Sequence, residues 1–99
     1  MRLENKVAII TGGASGIGLA AVQKFVEQGA FVYIADVNET AGKLIEQQFY
    51  GKVNYLQVDI TNRAQCMEVT KTILQKSGKI DILVNNAGIT RDAMTRKMT

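Results

Sequence analysis

The sequence predicts an α/β fold, a doubly wound parallel sheet with helices on both faces. Three observations predict it. Short apolar runs, rich in β-branched residues, recur at Val7–Thr11, Phe31–Ala35, Val53–Val58 and Ile80–Val84. Segments with apolar residues at helical spacing separate them. Gly29, Gly51 and Gly78 follow those segments, at the position where helices end in a left-handed residue. The order is therefore β-α-β-α-β-α-β, then a polar-to-mixed segment to the end.

Each element has its own warrant. Val7-Ala8-Ile9-Ile10-Thr11 shows no polar alternation, as expected of a strand buried on both faces. Ile17, Ala21, Val22 and Phe25 set a helix over 16–28, stopped by Gly29. Phe31–Ala35 is a second buried strand, closed by Asp36. Ala41, Leu44, Ile45, Gln48 and Phe49 make a second helical stripe. Val53–Val58 is a third strand, ending at Asp59. Thr61 or Asn62 caps a third helix, and Asn62 with Gln65 resembles a capping box. Its stripe is Cys66, Val69 and Ile73, with Met67, Thr70 and Leu74 beside it. Ile80–Val84 is a fourth strand, running into Asn85-Asn86-Ala87-Gly88.

Right-handed crossovers turn this order into a layout. The strand order is 3-2-1-4, with the first two crossover helices on one face and the third on the other. Strand 4, with Ile82, Leu83 and Val84, is left as an exposed edge open to self-association or pairing with another chain. Met94 and Met98 are expected to begin a fourth helix.

Composition excludes several classes. The 99 residues allow one domain at most, and 46% apolar with 21% charged residues marks a globular chain. The longest uninterrupted aliphatic run, Val7–Ile10, is too short for a membrane span or a secretory signal core. A single cysteine, Cys66, excludes an intramolecular disulfide and fits the cytoplasm. With no histidine either, no metal site and no His-based triad is expected. The net charge of +3 gathers at Arg91, Arg96 and Lys97. Without a basic stripe interleaved with aromatics, neither nucleic acid nor a membrane is an expected partner.

The strongest chemical signal is Thr11-Gly12-Gly13-Ala14-Ser15-Gly16-Ile17-Gly18, between the first strand and the first helix. A helix N-terminus offers unpaired N–H groups and a positive dipole end, which attract phosphate oxygens. Glycines there allow a tight turn, close approach of backbone to a pyrophosphate, and close helix–strand packing. Ser15 adds a hydroxyl. Leu19 follows Gly18, where a Walker loop needs lysine, so nucleoside-triphosphate chemistry is disfavoured. The spacing is Gly-x-x-x-Gly-x-Gly, using Gly12, Gly16 and Gly18.

Asp36 ends the second strand, 18 residues past Gly18. Its carboxylate is placed to accept hydrogen bonds from an adenosine ribose and to repel a 2′-phosphate. NAD(H) is therefore expected in preference to NADP(H). Asp59 ends the third strand before Ile60. It is a candidate for the adenine amino group, and equally an acid that opens the following helix.

Gly12–Gly18, Asp36, Asp59 and Asn85-Asn86-Ala87-Gly88 together resemble the short-chain dehydrogenase/reductase family, which has a Rossmann-like fold. The string Ile82-Leu83-Val84-Asn85-Asn86-Ala87-Gly88-Ile89-Thr90-Arg91-Asp92 is most similar to the 3-oxoacyl-(acyl-carrier-protein) reductases. The resemblance implies a cofactor map. Gly12, Gly16 and Gly18 shape the phosphate loop, and Ser15 and Ile17 contact it. Asp36 takes the ribose, and Asp59 and Ile60 the adenine. Asn86, Ala87 and Gly88 line the cofactor. Relatives that use NADP commonly carry a basic residue in place of Ser15 or near the end of the second strand; this chain has neither.

The family's hydride chemistry uses a Tyr-x-x-x-Lys pair, a serine and an asparagine that follow this region. Four residues after Tyr33, Tyr50 and Tyr55 stand Val37, Asn54 and Asp59, so no catalytic residue is expected within residues 1–99. The chain thus reads as a partial dinucleotide-binding domain, the N-terminal half of an NAD-dependent oxidoreductase. The alternative is a non-catalytic NAD-binding or interaction module completed by a partner chain. A flavin-binding protein of another family is disfavoured by the Asp36 spacing.

Overall fold

The structure, a computed structural model, describes residues 3–14, 16–85 and 95–97. Its elements are β1 (Val7–Thr11), α1 (Gly16–Glu27), β2 (Phe31–Asp36), α2 (Glu39–Gln48), β3 (Val53–Gln57), α3 (Arg63–Ser77), β4 (Ile82–Asn85) and β5 (Thr95–Lys97). The strands form one sheet in the order β3-β2-β1-β4-β5. The first four are parallel and keep the order the handedness rule predicts.

β5 corrects two expectations. Thr95–Lys97 is a strand where a fourth helix was expected; Met94 and Met98 themselves lie outside the described residues. It pairs antiparallel with β4, Val84 opposite Thr95 and Ile82 opposite Lys97. The β4 edge is therefore covered, and the pairing surface expected there is occupied by the chain itself. The reason is the unmet ladder of N–H and C=O groups along β4, which a nearby segment can satisfy whatever its side chains.

Two apolar clusters hold the layers together. Ala8 and Ile10 of β1, Val32 and Ile34 of β2, and Val53 and Tyr55 of β3 meet Val22 of α1 and Ile45 of α2 on one face. Val7, Ile9 and Tyr33 meet Ile73 of α3 on the other. β1 contributes to both, which is why Val7–Ile10 is buried throughout. Ile17 and Leu44 depart from their predicted stripes and stand 72% and 61% exposed. On α2 the buried positions are Gly42 and Ile45. A Cβ at Gly42 would overlap the Tyr55 ring, so α2 packs its glycine directly on that ring of β3.

Polar side chains fix the helix ends. The Asn38 carboxamide caps α2 by accepting from the Ala41 N–H at 3.0 Å. Asn62 caps α3 by accepting from Gln65 at 3.1 Å. The capping box is only half formed: Gln65 Oε1 accepts from the Asp59 N–H, while the Asn62 N–H donates to the Asp59 carbonyl. Gly78 closes α3 in the left-handed region at φ 80°. No helix among the described residues is long and apolar enough to cross a membrane.

At the opposite end of β1, the Asp81 carboxylate accepts from the Val7 N–H at 2.8 Å and lies 3.1 Å from the Lys79 ammonium. The Val7 amide foremost, with Lys79 beside it, holds this carboxyl below the usual carboxylate range. A lowered folded pKa stabilises the fold above the unfolded value of 3.8, and that stability is lost as the pH falls through the folded value. Asp81→Ala is expected to lower stability by about 1 kcal/mol at neutral pH. Thermal melts of parent and variant should converge only well below pH 3.8, as the lowered folded value is passed; a gap that persists in that acid range would contradict this assignment.

Candidate functional site

The parallel registers bring the strand ends level. Thr11 of β1 stands opposite Ala35 of β2 and Asn85 of β4, and Asp36 opposite Gln57. The loop after β1 opens at this edge. Gly12 turns it at φ 67°, a conformation that strains any residue with a Cβ, and its N–H donates to the Ala35 carbonyl at 2.8 Å.

The remaining loop glycines differ in what they require. A Cβ on Gly18, in the first turn of α1, would overlap the Gly12 carbonyl oxygen and come within 2.8 Å of the Gly13 Cα. A Cβ on Gly13 would meet the Ile34 side chain at 2.7 Å. The loop is pressed between α1 and β2, and only glycine lets the backbones approach so closely. Gly16 is different, because a Cβ there meets nothing within 4 Å. The first turn of α1 carries no acidic residue, so no side chain of that turn offsets the positive end of the helix dipole.

Asp36 joins the loop to β2. Its Oδ2 accepts from the Ala14 N–H at 3.2 Å, and its Oδ1 from the Asn38 N–H at 2.9 Å. Its main-chain carbonyl accepts from the Tyr55 hydroxyl at 2.8 Å and from the Val58 N–H at 3.2 Å. Burial, then the charges of Asp36 and Glu39, push the Tyr55 phenol above its usual value. It therefore stays protonated and donating at neutral pH.

Gly12, Asp36, Asp59 and Ile60 line one cleft of about 180 Å³, with Ala35, Val37 and Val58. A neighbouring cavity of about 240 Å³ shares Ala35, Val58 and Ile60 and extends under α3 to Cys66 and across to Leu83 and Asn85. Asp59 is exposed. Its carboxylate accepts from the Thr61 hydroxyl at 2.6 Å and the Thr61 N–H at 3.0 Å. These bonds hold its pKa down. Asp59 thus walls the cleft and holds the turn that leads into α3. Ser15, Asn86, Ala87 and Gly88 lie outside the described residues.

Three contributors were not legible from spacing. The Thr11 hydroxyl reaches Asn85 Oδ1 at 3.0 Å and the Val84 carbonyl at 3.3 Å, tying β1 to β4 where the crossover direction reverses. The Ala14 amide and the Tyr55 phenol fix Asp36. Of these, only Tyr55 left a trace in the sequence, as an aromatic on the strand that faces Gly42.

Two of the three tyrosines are otherwise engaged. Tyr33 Oη lies 2.7 Å from Ser77 Oγ, where α3 ends. Tyr55 donates to Asp36, and Tyr50 is 88% exposed.

Four parallel strands in the order 3-2-1-4, with a glycine turn at the strand ends beside the reversal point, define a doubly wound protein of the dinucleotide-binding type. The chain belongs to the short-chain dehydrogenase family, which matches residues 6–99. It is 46% identical over 101 residues to a 3-oxoacyl-(acyl-carrier-protein) reductase of Thermotoga maritima, covering 99% of this chain and 41% of that protein. The crystal structure of a 3-ketoacyl-(acyl-carrier-protein) reductase from Brucella melitensis complexed with NADH superposes with a TM-score of 0.79 at 33% identity. That match covers 82% of this chain and 33% of the other. A short chain dehydrogenase from Bacillus anthracis gives a TM-score of 0.82 at 33% identity, covering 86% and 35%. The chain thus spans about two-fifths of the curated relative and about a third of each solved structure.

Gly18→Ala tests the loop. The added methyl has no space on either side, so a loss of roughly 1–3 kcal/mol is expected in denaturant melts. Parent-like stability would show that the loop does not depend on this contact.

Proposed function

We propose that this chain is the NAD(H)-binding portion of a short-chain oxidoreductase that transfers hydride between nicotinamide and a carbonyl or hydroxyl substrate. One observation carries the reading: Asp36, held by the Ala14 and Asn38 amides, lines the same cleft as Gly12 of the glycine loop. A dinucleotide needs an anion-binding helix start and, a ribose-length away, an acceptor for hydroxyl groups. The residues present fit that demand. Gly16, Gly18 and Ile17 at the start of α1 would hold the pyrophosphate with Ser15, Asp36 the ribose, and Asp59 and Ile60 the adenine. Asn86, Ala87 and Gly88 would continue the cofactor wall beyond β4.

When bound, the nicotinamide supplies or accepts the hydride. The chain's own residues bind and orient: the α1 amides receive negative charge, and the Asp36 carboxylate selects a free 2′-hydroxyl over a phosphate. A phenol with a lysine four residues on, which would lend the proton, is absent from residues 1–99. We therefore take residues 1–99 as the cofactor-binding part of a dinucleotide-binding domain, with the proton-donating groups lying outside it. The similarity to 3-oxoacyl-(acyl-carrier-protein) reductases supports a 3-oxoacyl thioester as the substrate class. The single cysteine supports a cytoplasmic setting.

Fluorescence titration with NADH and NADPH tests the cofactor assignment. NADH should bind more tightly, and Asp36→Ala should narrow the preference by about tenfold. Tighter binding of NADPH by the unmutated protein would overturn it.

Gly16→Ala separates ligand from fold, because its methyl meets no protein atom within 4 Å. Its melting temperature should be unchanged or higher, while NADH binding weakens. Unchanged NADH affinity would remove Gly16 from the site.

A further inference from the structure

β3 is the outer strand of the sheet on the side away from β4. Its main-chain groups alternate in direction. The Lys52 carbonyl accepts from Val32 and the Val58 N–H donates to Asp36, so the even-numbered residues face β2. Val53, Tyr55 and Gln57 therefore turn their N–H and C=O groups toward the open side. An outward row of this kind is a template for another strand.

The middle donor of that row is taken. Glu46, from α2, bends over the edge, and its Oε2 accepts from the Tyr55 N–H at 2.9 Å. The same oxygen accepts from the Asn54 Nδ2 at 2.7 Å. Asn54 Oδ1 in turn lies 3.4 Å from the Lys76 ammonium of α3. α2 and α3 lie on opposite faces, so Glu46, Asn54 and Lys76 form a polar clasp around the outside of the strand.

We propose that Glu46 guards the β3 edge against pairing with β3 of a second copy of this chain. A second copy is the matching partner because an edge strand pairs antiparallel with itself about a twofold axis, each outward donor meeting an outward acceptor. With the axis near Tyr55, the central residue, Glu46 obstructs that pairing twice. It occupies the Tyr55 donor, and its charge faces the Glu46 charge of the other copy.

Hydrogen exchange and sedimentation test the proposal. In the parent protein the Tyr55 amide should be protected at least about tenfold more than that of Gln57, the neighbouring outward residue. Equal protection would overturn the guard without any variant being made. Glu46→Ala should raise the sedimenting mass above the parent's in a concentration-dependent way, and the Gln57 amide should become protected in the larger species. A folded Glu46→Ala protein with the parent's mass across the series would overturn the proposal. So would a larger species in which Gln57 stays unprotected, because association would then run through another surface.

Discussion

The backbone contact between the first turn of α1 and the turn after β1 is the constraint on which the rest depends. Gly18 lies against Gly12 and Gly13 with no room for a methyl group. Gly13 lies as closely against Ile34. Together they set where α1 begins, how near it lies to the sheet, and where Ala14 points its amide. Asp36 can reach that amide only because the loop is this flat. A bulkier loop would lift α1 and open the cleft floor between Gly12 and Asp36. The dispersion and burial gained by Val22 against the sheet would be lost with it.

Much of this was legible in the residues. β1 and β2 are short continuous apolar runs, the form expected of a strand buried on both faces. Handedness alone then gave the order of the first four strands. Gly12, Asp36 and Asp59 were found by their places at strand ends and Ile60 by the family resemblance, and the four line one cleft. The misses have physical causes. Ile17 and Leu44 occupy positions a helical stripe allows, but the loop turns one outward and the ride of Gly42 over Tyr55 turns the other. β5 reads Thr-Arg-Lys, without apolar alternation, because its pairing comes from the demand of β4 rather than from its own side chains. The Tyr55 bond to Asp36 joins residues on neighbouring strands through a main-chain carbonyl, which no spacing rule records.

Asp36 concentrates several roles in one residue. Its carboxylate satisfies the loop and the entrance to α2, and its carbonyl receives Tyr55 and Val58. Cleft wall and backbone support coincide there, so substitutions at Asp36 act on the cleft through the backbone as well as through lost charge. Asp59 divides its duties in the same way, between the cleft wall and the start of α3. Acids at strand ends suit this double use: they sit where the turns leading into helices need acceptors and where an open α/β sheet leaves a crevice.

The two faces of the sheet also differ in how far apart along the chain their parts lie. The cluster beneath α1 and α2 draws its buried members from Ala8 to Tyr55, a stretch of consecutive β-α-β-α-β. Pairing β1 with β4 instead joins residues 74 apart, as at Val7 and Asp81. The entropy of closing that longer loop must be met before its contacts return anything. A chain emerging from the ribosome can therefore complete the first layer, glycine turn and Asp36 included, before β4 has been made. The edge that carries the glycine turn is assembled early, and the strand that completes the reversal point docks onto a surface already formed.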